Sequence, residues 1–370
     1  MKILIVSQYF WPEEFRINDL ALNLKERGHD ITIITGNPNY PKGKFLKGYG
    51  FKKSIEYFEG IKIYRVPILP RGNNSMMLIL NYLSFIVSGS LFSFFHKNKY
   101  DKVFAVNFSP ITAVIPAIVY SKRKKQELSI WVQDLWPESV IAASNIKSIK
   151  LQQVLNKLVK YIYRNSNKIF VSNLDFNKSL ISKGVNKNKI YYMPNWAEDL
   201  FENQESLKIN NKNCDIPKGF VIMFAGNLGE AQDLEMVLNA AEITKDNKNI
   251  KWVFIGDGRK SKWMKDSVKY KKLSDTVKIL GRFPTEQMPF FFKKADVMLV
   301  SLKDEYIFSL TVPSKVQCYM ASKKPILSML NGAGNNVIEQ SKCGLTANAG
   351  DFVKLAENVI KIEKYTKDQV

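Results

Sequence analysis

The strongest local cluster of chemically able residues is Lys303-Asp304-Glu305 followed by Ser309-Leu310-Thr311-Val312-Pro313-Ser314-Lys315. A proline at the first helical position leaves the next amides unpaired, so those of Ser314 and Lys315 would point at an anion beside the Lys315 ammonium. A diphosphate fits that geometry. The spacing is not Gly-x-x-x-x-Gly-Lys-Ser/Thr, which excludes an ATPase P-loop, and no paired-aspartate metal site is evident. The candidates here are Ser309, Leu310, Thr311 and Ser314, with Lys315 and Glu305 at the reaction centre, and no metal is expected.

Three glycine turns precede this cluster. Gly226-Asn227-Leu228-Gly229 closes one apolar run, with Gln232 and Asp233 near the next helix start; Ile255-Gly256-Asp257-Gly258-Arg259 closes a second; Gly281-Arg282-Phe283-Pro284 closes a third. Glycine lets a phosphate approach backbone amides closely, and helix N-termini carry partial positive charge. Set on one edge of one sheet, Gly226, Asn227, Gln232 and Gly256 would meet a diphosphate, Arg259 or Arg282 would add charge, and Phe283 would pack on a base or serve as a core aromatic.

In the first half, Trp131-Val132-Gln133-Asp134-Leu135-Trp136-Pro137-Glu138 places a carboxylate at the carboxyl tip of an apolar run. Asp134 reads as a base or hydrogen-bond acceptor for a sugar hydroxyl, or as the cap of the following helix. Asn107 ends a neighbouring run. Glu13, Glu14, Arg16 and Asn18 follow the first strand and read either as acceptor-binding groups or as a solvated helix start. The two histidines, His29 and His96, suit neither a triad nor a zinc site.

These residues need a frame to hold them. Short β-rich runs alternate with helix-length stretches from Ile3 to Pro194 and again from Phe220 to Ala347, the pattern of parallel sheets flanked by helices. The reading is α/β, two doubly wound domains over 1–200 and 201–370, joined by the polar stretch Glu198 to Lys218 and facing each other across a cleft. With 370 residues, 45% hydrophobic and 24% charged, the chain is neither disordered nor a polytopic membrane protein. Its net charge is +21, and residues 1–200 hold 29 basic against 14 acidic side chains, so the first half attracts phosphates. Cys214, Cys318 and Cys343 suggest a reducing compartment with no disulfide, and the start at Met1 reads as a strand, which makes the protein cytoplasmic.

Met76 to Phe95 is a long, almost uncharged run. A membrane span, a core helix and a helix gripping a bilayer surface all fit its length; Asn81, Ser84 and Ser88 at helical spacing favour the last. Met77, Leu80, Phe85, Phe92 and Phe95 would supply its apolar surface. Lys97, Lys99 and Lys122-Arg123-Lys124-Lys125 would suit anionic headgroups at the inner face of the membrane.

Gly-His-Asp-Ile-Thr-Ile-Ile-Thr from Gly28, Met-Pro-Asn-Trp from Met193, Ile-Gly-Asp-Gly-Arg from Ile255 and Pro-Ser-Lys-Val-Gln from Pro313 resemble family 4 nucleotide-sugar glycosyltransferases. Gln8-Tyr9-Phe10-Trp11-Pro12-Glu13-Glu14, Pro38-Asn39-Tyr40-Pro41 and the Asp134 run are similar to the N-acetyl-L-fucosamine transferases of bacterial O-antigen and capsule assembly. The resemblance implies the glycosyltransferase-B fold and retaining, metal-independent transfer from a UDP-sugar co-substrate, with no other cofactor. It also implies a polyprenyl-diphosphate-linked sugar as acceptor at the cytoplasmic leaflet. An epimerase or phosphorylase of the same fold is the alternative, and a basic nucleic-acid-binding protein the second. Two departures stand out. Asn227 and Gln232 replace the family's arginine and lysine, and Leu310 and Cys318 fall where its two glutamates belong. The family's closing helix would also lie beyond Val370, so the chain is expected to be truncated there.

Overall fold

The computed structural model describes residues 1–72, 74–144, 146, 148–202 and 216–365, and the chain divides into two compact units, Met1–Pro194 and Asn195–Val370. Cys214, most of the polar connecting stretch and the expected truncation at Val370 lie outside the described residues.

The first unit is one sheet of eight strands: β1 (Lys2–Val6), β2 (Asp30–Gly36), β3 (Ser54–Phe58), β4 (Ile61–Val66), β5 (Lys102–Asn107), β6 (Leu128–Val132), β7 (Lys168–Val171) and β8 (Ile190–Tyr192). Their order is β3-β4-β2-β1-β5-β6-β7-β8. Ile3 to Val6 read as an unbroken apolar run because β1 is central and covered on both faces, with Ile3 opposite Ile31 on one side and Lys102 on the other. All pairs are parallel except β3 with β4, a hairpin turned at Glu59-Gly60 where both residues have positive φ. The sequence reading contains neither strand of this hairpin. Its outer strand alternates half-covered and exposed side chains, so it lacks a core run.

The second unit has β9 (Phe220–Ala225), β10 (Ile250–Ile255), β11 (Val277–Gly281), β12 (Val297–Ser301), β13 (Ile326–Met329) and β14 (Gly344–Ala347), ordered β11-β10-β9-β12-β13-β14 and all parallel. Alternation sorts its side chains into two cores. Phe224, Trp252, Phe254 and Leu299 pack with Leu238 and Val359 on one face; Met223, Val253, Met298 and Val300 pack with Phe291 and Tyr319 on the other. Each such side chain contributes about 1.5–3 kcal/mol by leaving water.

The helix Ser75–Phe95 packs on the first unit through one stripe, Asn81, Phe85, Gly89 and Ser93, at steps of four residues. The stripe is the more polar side. Asn81 accepts from Gln8 at 2.7 Å and donates to the Leu69 carbonyl, while a Cβ at Gly89 would stand 2.8 Å from Pro116. Phe85, expected on the apolar surface, is buried in that stripe instead. Met76, Ile79, Leu83, Val87, Leu91 and Phe95 are each at least half exposed, and only 22% of the helix's most apolar window is buried.

Candidate functional site

Strand order reverses beside β1 in the first unit and beside β9 in the second, and such points open crevices at the carboxyl ends of the strands. In the second unit a cavity of about 560 Å³ lies there, lined by Ala225 at the end of β9, Gly226 and Asn227 after it, Gly256 to Gly258 after β10, Arg282 and Phe283 after β11, and Ser314 and Lys315 on the helix Ser314–Ala321. Seven of the expected donor-site residues thus meet around one space: Gly226, Asn227, Gly256, Arg282, Phe283, Ser314 and Lys315.

The glycines act differently from the expectation. The amides of Gly226 and Gly256 donate to Ile255 and Gly281 carbonyls at 2.8 and 2.7 Å, so they extend the sheet and do not face a ligand. What the positions require is closeness. A Cβ at Gly256 would fall 1.8 Å from the Gly226 carbonyl oxygen, and one at Gly226, where φ is +138°, would fall 2.5 Å from Lys315 Cε. Donors to an anion come from the helix start. Pro313 is its cap residue, one place earlier than expected, and the Val316 amide turns back to the Pro313 carbonyl, which leaves those of Ser314 and Lys315 to an outside acceptor.

Lys315 lies across the β9 turn with Nζ 3.9 Å from the Phe224 ring centroid. Among the described residues it makes no ion pair and no hydrogen bond. Burial without a counter-charge pulls its ammonium down to about 7. An anion entering the cavity would offset that cost.

Other expected residues stand elsewhere. Gln232 folds back, its Oε1 accepting from the Gly229 amide at 3.1 Å. Ser309 and Thr311 bond to the Tyr306 and Ile307 carbonyls at 2.7 and 3.1 Å. Arg259 and Glu305 are exposed, and these residues and Leu310 do not line the cavity. Phe283 packs tilted against Phe291, 4.6 Å between centroids, and lines the cavity. The cationic pair at the cavity is therefore Lys315 and Arg282.

In the first unit, Asp134 lies two residues past β6 and four before the helix Glu138–Ser144. Trp136 Nε1 donates to its carboxylate at 3.1 Å, and Asn107 Nδ2 donates to its carbonyl at 3.0 Å. Burial raises the Asp134 carboxyl above the usual range against the hydrogen bonds of Ser139, Trp136 and Ser109. Glu13 accepts the Asn39 and Tyr40 amides at 2.7 Å, and Asn18 bonds Trp11 and Glu13 backbone atoms, so both hold loops. Arg16 keeps Nη1 buried, with no partner among the described residues. Arg71 escaped the sequence reading. It donates to Tyr9 Oη at 2.9 Å and lies over the Tyr9 and Tyr40 rings. It sits in a loop after β4, a strand the reading lacked, so no strand-end signal pointed to it.

Over 98–100% of its length this chain is similar to solved glycosyltransferases. HepE of Anabaena, solved with UDP, aligns at TM-score 0.65 and 12% identity, covering 100% of this chain and 92% of that one. WaaG, a glycosyltransferase involved in lipopolysaccharide biosynthesis, aligns at 0.65 and 11%, covering 99% and 91%. The fold is glycosyltransferase-B, as the sequence implied. Residues 219–364, within the second unit, match the family model described as Glycosyl transferases group 1. WbjE of Pseudomonas aeruginosa, named as a probable glycosyltransferase, is 30% identical over 243 residues, 62% of this chain and 58% of that one. WcaI of Escherichia coli K12, named for colanic acid biosynthesis, is 23% identical over 279 residues, 70% and 66% of the two chains. This chain's match thus spans under two thirds of either relative.

Proposed function

We propose that this protein transfers a sugar from a UDP-sugar, with N-acetyl-L-fucosamine the first donor to test, to a polyprenyl-diphosphate-linked sugar in O-antigen or capsule assembly. The observation that carries the reading is Lys315, an enclosed ammonium without a counter-charge, beside free helix-start amides at the switch point of the second sheet. Transfer breaks the bond from the anomeric carbon to the diphosphate oxygen and forms one to the acceptor oxygen. Negative charge grows on the leaving diphosphate, and pre-placed donors stabilise it most at that moment. Lys315, Arg282 and the Ser314 amide supply this in our reading, without a metal. The acceptor proton passes to the departing phosphate oxygen, so retention needs no covalent enzyme intermediate.

The first unit takes the acceptor in this reading. Asp134, its carboxyl raised by burial, is suited to hold the acceptor hydroxyl in place through a hydrogen bond. Its surplus of basic residues and the exposed apolar side of the helix Ser75–Phe95 support work at the inner face of a bacterial membrane. The names of WcaI and WaaG favour surface polysaccharide as the product.

The test is incubation of the full chain with radiolabelled UDP-sugars and vesicles carrying the lipid-linked acceptor. Label in the lipid extract supports transfer. Sugar phosphate or an epimer in the aqueous phase would replace it with the phosphorylase or epimerase reading, and salt-sensitive binding of duplex without UDP-sugar binding would replace it with the nucleic-acid reading.

A further inference from the structure

A second cavity, also about 560 Å³, lies in the first unit between the end of the helix Ser75–Phe95 and the β3–β4 hairpin. Its walls are apolar: Tyr64, Val66, Pro67, Leu91, Phe92 and Phe95. Its mouth is not. Lys53 and Lys97 line it, and Lys53 Nζ stands 4.8 Å from the Phe92 ring centroid. Lys62 stands over Tyr64 at 5.1 Å, and Lys124 Nζ bonds the Lys97 carbonyl at 2.9 Å. Among the described residues none of these four lysines pairs with a carboxylate. The positive field is felt inside. Burial, then Lys124, Lys62 and Lys53, pull His96 down to about 4, so the imidazole at the cavity wall stays neutral.

Register extends the apolar surface beyond the cavity. Ile55 pairs with Tyr64 and Tyr57 with Lys62, so Ile55 and Tyr57 share the sheet face that carries Tyr64 against the helix. They are 53% and 63% exposed, and Leu91 and Phe95 across the groove are 56% and 68% exposed. An apolar groove open to a broad apolar surface and rimmed by unpaired lysines matches one ligand chemistry: a hydrocarbon chain ending in a phosphate.

We propose that this groove binds single anionic phospholipids of the bilayer, the acyl chain along Phe92 and Leu91 and the headgroup phosphate between Lys53 and Lys97. The inference rests on the membrane-surface reading above but adds a discrete, saturable site. Lipid held there would anchor the first unit by a contact separate from the loops around Asp134.

A short-chain phosphatidylglycerol below its micelle concentration probes the groove without a bilayer. Titrated into the full chain by calorimetry, it is expected to bind one to one, at least tenfold tighter than short-chain phosphatidylcholine. Lys53→Gln/Lys97→Gln should remove that preference, and Ser88→Trp, which fills the groove and keeps the lysines, should remove both lipids. Circular dichroism and UDP binding of each variant confirm the fold. Equal affinity for the two lipids, unchanged binding by either variant, or equal binding of glycerol phosphate without a chain would overturn the proposal. Vesicle sedimentation separates the two readings. Sedimentation without short-chain lipid binding sinks the groove alone, whereas short-chain lipid binding without sedimentation sinks membrane residence and keeps the groove.

Discussion

Lys315 lies so close against the β9 turn that a single methyl at Gly226 would stand 2.5 Å from its Cε. The helix and the turn therefore share one position for the ammonium. Two residues that are far apart in sequence thus fix where the ammonium stands.

Lys315→Ala should raise the barrier to transfer by about 2–4 kcal/mol, the range for removing one strong donor to developing charge. UDP affinity should fall as well. Folding should survive, because an unpaired buried ammonium costs stability. Turnover close to wild type at saturating donor would assign the duty to Arg282.

Gly226→Ala leaves every charge in place and displaces Lys315 Cε. The φ of +138° adds backbone strain. UDP affinity should fall at least tenfold, and Lys315→Ala/Gly226→Ala should be little worse than Lys315→Ala alone. Full additivity in a double-mutant cycle would deny the coupling.

The depressed Lys315 ammonium makes stability depend on pH. Its folded value of about 7 lies below the ordinary 10.5, so between these the unfolded chain binds more protons and stability of the free protein rises with pH. Well below pH 7 the buried charge is present in full and its cost is constant. Relative to Lys315→Met, the wild type should gain thermal stability from pH 7 to 9, and UDP binding at pH 8.5 should take up a proton. Parallel melting curves for the two proteins across that range would contradict the assignment.

Asp134→Asn keeps the size of the side chain and removes its charge. Transfer should drop by about a hundredfold, as for a misplaced attacking hydroxyl, while UDP affinity in the second unit stays near wild type. A loss of UDP affinity with unchanged acceptor use would reverse the division of labour between the units.

Much of the frame was legible because parallel strands covered on both faces must be apolar throughout, as Ile3 to Val6 and Phe220 to Ala225 are. The hairpin β3–β4 was not, since its outer strand is an edge with Ile55 and Tyr57 turned outward. Within the site, Pro313-Ser314-Lys315 and the glycine turns announced a helix start and close backbones. Their partners did not. That Gly226 and Gly256 donate inward follows from the parallel neighbours they meet, and that Gln232 caps its own turn follows from a local bond, neither visible in spacing. Arg71 needs Tyr9 and Tyr40, which reach it only through the fold.

The most direct test is calorimetric titration of UDP into the full chain at pH 6, below the folded Lys315 value of about 7, beside Lys315→Met. The account predicts saturable one-to-one binding to the wild type and at least a tenfold weaker Kd for the variant. Absence of UDP binding, or the same Kd in both proteins, would contradict it.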